Sequence, residues 1–123
     1  MANIQLQRGQ KQQVDVTFKL ASASVALDFA EPNSAELVIR RSLTGAIIDT
    51  LTSASNRIVL YSNAPDAGPN INLHWSTAES AKLPNESVTV IGDLKIANNA
   101  TFASGEVLYH IRLTFDILPE VIA

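Results

Sequence analysis

The chain contains no cysteine. That excludes disulfide staples, thiolate metal sites and cysteine nucleophiles together, and it leaves the redox compartment open. Aromatic residues make up only 6% of the 123 positions, with a single tryptophan, so no obvious aromatic platform for a sugar is present. Cations are scarce too: 9 Lys and Arg against 12 Asp and Glu give a net charge of −3. Nucleic acids and anionic membranes are bound through clustered Lys and Arg, so neither is expected as a partner. The one adjacent basic pair is Arg40-Arg41, which strand alternation places on opposite faces. No apolar run approaches the roughly 20 residues that span a bilayer. The opening residues Met1-Ala2-Asn3-Ile4-Gln5 lack the charged-then-apolar pattern of a signal peptide. The expectation is a soluble protein made in a cytosol.

What is abundant is apolar character. A hydrophobic fraction of 46% against 17% charged residues excludes disorder, and the length suits one core. Residues 1–123 are therefore expected to form a single domain. Period-2 alternation dominates it. Val14, Val16, Phe18 and Leu20 alternate with Asp15, Thr17 and Lys19, after a shorter strand carrying Ile4 and Leu6. Ala35 to Arg41 places Leu37 and Ile39 on one face and Glu36, Val38 and Arg40 on the other. The loop Ser42-Leu43-Thr44-Gly45 then turns the chain into a return strand from Ala46 to Leu51.

A short strand from Arg57 to Tyr61 follows the polar turn Ser53 to Asn56, and Asn63 to Pro69 reads as a loop. Ile71, Leu73 and Trp75 form the next apolar face. A longer strand runs from Val88 to Ile96, with Gly92 marking an expected bulge. Asn98 to Ala100 is a turn, and a final strand spans about Val107 to Ile117, with Pro119 at its exit. One segment breaks the period. Ser76 to Pro84 reads as a short helix, with Ser76 and Glu79 in capping-box spacing and Pro84 as its stop. Seven to nine strands with frequent turns and one helix predict an all-β, antiparallel sandwich.

The order of these elements resembles the small immunoglobulin-like β-sandwich domains of tailed-phage and prophage structural proteins, similar to the N-terminal domain of upper-baseplate proteins. The resemblance rests on the acidic-flanked strand Val14-Asp15-Val16-Thr17-Phe18 and on the pair of strands Ala35 to Arg41 and Ala46 to Thr52. It continues through Arg57 to Leu60, Ile71 to Leu73, the helix Ser76 to Leu83, and the ending Leu118-Pro119-Glu120-Val121. It departs at Leu27 to Pro32, where the family has an Asp-Leu-Thr-Gly entry, and at Asn85, which stands where a helix-closing glycine is usual. The resemblance implies a virion structural protein, tail- or baseplate-associated, that works through contacts with other virion proteins.

Candidate chemistry is sparse. His74 and His110 are the only histidines; with no cysteine and no acid at ligand spacing around them, no metal site is expected. His74 alternates with Leu73 and Trp75 and is expected on a solvent- or subunit-facing side, as is His110. No Gly-x-Ser-x-Gly elbow exists, and no serine pairs with a histidine in the sequence. Asp15, Asp28, Glu31 and Glu36 lie near strand ends, where solvated charges are the commoner reading. Trp75 shares parity with Ile71 and Leu73 and is expected in the core. No catalytic residue and no cofactor is assigned.

The functional expectation is a bacteriophage structural protein of the tail or baseplate, located in the virion, homo-oligomeric, and acting by assembly and not as an enzyme. The glutamine-rich arm (Gln5, Gln7, Gln10, Gln12, Gln13) and the loops Ser22 to Asn33 and Asn63 to Pro69 are the candidate contacts. The alternatives are a head-decoration (capsid decoration) or neck protein, and a glycan-binding module for host attachment. The glycan reading needs exposed aromatics, for which only Phe29 and Phe102 qualify by position.

Overall fold

Alternating apolar residues can bury one face of a strand only against a second sheet, and two such sheets form here. The structure is a computed structural model, described over residues 4–16, 34–60, 71–97 and 107–119. The strands are β1 (Ile4–Gln7), β2 (Gln12–Val16), β3 (Ser34–Arg40), β4 (Ile47–Thr52), β5 (Ile58–Leu60), β6 (Ile71–Trp75), β7 (Val88–Ala97) and β8 (Val107–Leu118), with one helix, α1 (Thr77–Ser80). One sheet has the order β1-β8-β7-β3-β4 and the other β2-β6-β5. All pairings are antiparallel except β1 with β8, where Ile4 sits opposite Phe115 and Gln7 opposite Leu118 in parallel register.

The inward faces meet in one core. Leu37, Ile39, Leu94 and Phe115 of the larger sheet pack with Ile71, Leu73 and Trp75 of the smaller one, all buried. Trp75 and Phe115 meet edge to face, ring centroids 6.1 Å apart, an arrangement that suits the quadrupoles of both rings. Leu37 and Ile39 do turn inward and Glu36, Val38 and Arg40 outward, as alternation requires. The all-β, two-sheet architecture read from the sequence is the one observed. The strand end Thr17 to Leu20, the loops Ser22 to Asn33 and Asn63 to Pro69, Phe29, Phe102, Asp28, Glu31 and the turn at Asn98 lie outside the described residues.

Three local expectations need correction. Gly92 is no bulge: it pairs in regular register with Ile39 on β3 and Leu113 on β8. The bulges fall instead between Ile39 and Arg40 and between Ile96 and Ala97. In the first, Ile39 faces Asp49 and Arg40 faces Ile47, so Ile48 is the extra residue. The parity reverses there, leaving Ile47 54% exposed while Ile48 packs on the core. Second, the helix is shorter than expected and stops before Pro84. Ser76 caps it with both arms of the capping box formed, but Lys82 and Leu83 bond back three residues, to Glu79 and Ser80. The last turn has tightened, which ends the helix without the proline. Third, the strand expected from Arg57 begins at Ile58; Arg57 N bonds back across the turn to Thr52 O, while its carbonyl accepts from His74 N.

Candidate functional site: a buried arginine and the cleft beside it

Asp49 occupies an inward position on β4, in register with Ile39. A carboxylate there must find a charged partner, since burying it alone is costly. Arg57 supplies one. Its Nη2 and Nη1 donate to Asp49 Oδ2 and Oδ1 at 2.8 and 3.1 Å, a bidentate pair with both side chains nearly buried. The guanidinium also reaches Glu79 Oε2 at 3.0 Å, and Lys82 approaches Asp49 at 3.7 Å. Two cations thus face two carboxylates in one cluster. Glu79 meanwhile accepts from the Ser76 N–H through its other oxygen, so the same carboxylate caps α1 and docks it on the arginine.

This cluster also closes a sheet edge. β4 is the last strand of the larger sheet, and its Thr50 and Thr52 turn main-chain groups outward, because Ser53 N bonds back to Ala35 O. The Thr50 N–H donates to Asp49 Oδ1 at 2.9 Å, Thr50 O accepts from Arg57 Nη1 at 3.4 Å, and Thr52 O accepts from Arg57 N at 3.2 Å. On the opposite edge, glutamine engages the main chain of Gln7. Gln12 Oε1 accepts from Gln7 N at 2.9 Å and its Nε2 donates to Gln7 O at 2.8 Å. Gln7 in turn donates to Pro119 O, and Arg8 donates to Leu83 O and Ala81 O at the end of α1. The glutamine-rich arm is therefore engaged within the chain at Gln7 and Gln12.

Beside Arg57 lies a cleft of about 520 Å³, lined by Lys11, Gln13, Asn56, Arg57, His74 and Glu79 among others. β2 and β6 bring Gln13 opposite His74. Asn56, at the turn into β5, has a positive φ of 63°, a conformation that asparagine tolerates better than most residues. His74 is half-buried, and its Nε2 is buried without a hydrogen-bond partner. Trp75 is 1% exposed, in the core as alternation implied, and its indole nitrogen is also unpartnered.

On the outer face of the larger sheet, His110 and Arg112 both contact Asp93 Oδ1, at 3.3 and 3.2 Å. Burial pushes the Asp93 carboxyl up, but hydrogen bonds and charge from Arg112 and His110 outweigh it and hold the pKa below its ordinary value. Arg40 and Arg41 diverge: Arg40 donates to Gly45 O, whereas Arg41 pairs with Glu86 at 2.6 Å. Of the scattered acids, Asp15 accepts from Gln13 and Asn72, and Glu36 lies beside Lys95 in register.

Among the described residues, no group of three His, Cys, Asp or Glu is placed to hold a metal, and neither histidine is bonded to a serine. Among the described residues, no helix is long and apolar enough to cross a membrane. Arg57 and Asp49 went unnoticed in the sequence. The signal was there in Asp49, which shares inward parity with Leu51 and so demands a cation. No protein-family model and no curated protein matches the chain.

Proposed function

We propose that the chain is a structural subunit of a phage or prophage virion, associated with the tail or baseplate, that acts by assembling with copies of itself and with other virion proteins. The strand order carries this reading. A first strand lying parallel beside the last, at the edge of a β1-β8-β7-β3-β4 sheet packed on β2-β6-β5, is the order we read as immunoglobulin-like. The virion assignment itself is drawn from the resemblance in the sequence, since a fold alone does not fix a function. The main-chain groups engaged at Gln7 on β1 and at Thr50 and Thr52 on β4 disfavour strand addition at those positions and leave faces and loops for such contacts. Exposed apolar side chains sit at Leu43 and Ile47 on the β3–β4 hairpin and at Leu118, which makes that hairpin a natural contact.

The glycan-binding alternative loses its tryptophan, since Trp75 is enclosed against Phe115. Light scattering on the purified protein, alone and mixed with candidate virion proteins, tests the proposal. A defined oligomer or a stable complex with a tail or capsid protein is expected. A persistent monomer that ignores every virion protein would overturn it.

A further inference from the structure

The geometry points to the cleft beside Arg57 as a binding site for a carboxylate group. Its volume of about 520 Å³ falls in the range of small-ligand pockets, roughly 300–1,000 Å³. The chemical class follows from which lining groups are already engaged. The carboxylate of Glu79 is held by Arg57 and by the Ser76 N–H, and Asp49 behind it is held by Arg57. Gln12 uses both ends of its amide on Gln7, and the Gln13 amide donates to Asp15. The wall of the cleft is thereby fixed and its charges are compensated.

Among the described residues, four side chains of the lining make no hydrogen bond or ion pair: Lys11, Asn56, His74 and Trp75. Lys11 is exposed at the mouth and offers three N–H donors and a positive charge, with no acceptor. His74 Nε2 is buried and unsatisfied, which costs free energy until a partner arrives. Trp75 is set apart from this group, because alternation along β6 turns its ring to the opposite side, onto Phe115. The uncommitted capacity is thus an ammonium at the mouth, an amide, and an imidazole nitrogen within.

A cation finds no free carboxylate there. A polyol would need several free acceptors and a stacking ring, and the lining offers the Asn56 and Gln13 carbonyls and a tryptophan ring packed on Phe115. A carboxylate accepts from the Lys11 ammonium and the Asn56 amide and brings the negative charge that neither supplies, with the His74 ring in the same lining. It can come from a small organic acid or from an Asp or Glu side chain of another polypeptide. This inference stands apart from the virion reading and survives its failure.

The test is a titration followed by NMR at constant pH and ionic strength. Sodium acetate is compared with sodium chloride, and an end-blocked Gly-Glu-Gly peptide with its Gly-Gln-Gly counterpart. The expected result is a saturable shift of the His74 ring and Asn56 amide signals, with binding about tenfold or more weaker in Lys11→Ala. Lys11 is exposed, so that variant is expected to keep the wild-type spectrum elsewhere. Saturation by acetate alone assigns the site to small acids; tighter binding of the Glu peptide than of the Gln peptide assigns it to a polypeptide side chain. Shifts that grow linearly with either salt, or that Lys11→Ala leaves unchanged, would overturn the proposal.

Discussion

Gly92 stands midway along β7 with Ile39 on one flank and Leu113 on the other, facing the core. A Cβ built there would lie 2.7 Å from Phe115 Cε2 and 2.9 Å from Leu37 Cδ1. The glycine therefore exists to let the phenyl ring cross the strand, and the ring in turn holds Trp75. Gly92→Ala is expected to lower stability by about 1–3 kcal/mol through overpacking, read as a lower urea midpoint with an unchanged slope. Asp93, next along, carries a pH effect. Its folded pKa lies below the ordinary value of 3.8, so the unfolded chain binds the proton more readily. The stabilisation is complete above the unfolded value and is lost as pH falls through the folded one. Denaturation of wild type and Asp93→Asn should converge as pH drops below 4, while at neutral pH the wild type is the more stable. The sequence displayed the glycine but not its purpose: an interior glycine fits a bulge or a close approach equally, and only the position of Phe115 decides.

At the scale of elements, the sequence was readable wherever periodicity and capping act locally. The strands around Leu37, Leu73 and Val90 and the Ser76–Glu79 box all follow from neighbours in the chain. What it concealed was the pairing between distant elements. Arg57 reads as the start of a strand, yet it joins β4, β6 and α1 by donating to Asp49, Thr50 O, His74 O and Glu79. Removing it leaves the Asp49 carboxylate buried without its main partner. Arg57→Ala is expected to cost about 3–5 kcal/mol. Arg57→Met with Asp49→Leu should cost less than Arg57→Met alone, since no orphaned charge remains. Thermal unfolding of the variants, followed by circular dichroism, checks both orderings. The cleft was hidden for the same reason, because Lys11, Asn56 and His74 are distant in sequence and each is unremarkable by itself.

For the whole molecule, the informative feature is how the first and last strands lie together. β1 and β8 are neighbours and run the same way, so the chain enters at one end of the pair and leaves at the other. Tension applied between the two termini drags these strands in opposite directions along their length. The hydrogen bonds between them then carry load in shear, all at once. An antiparallel terminal pair would instead be peeled open one bond at a time. Leu6, fully buried between the sheets, adds side-chain resistance to that sliding. Single-molecule pulling from the two ends should therefore give a higher unfolding force than pulling from Gln5 and Asp116, which opens the same pair sideways. Equal forces in the two geometries would show that the β1–β8 pair bears no load. A fold built this way is a tie as much as a block, suited to transmitting tension through its own backbone.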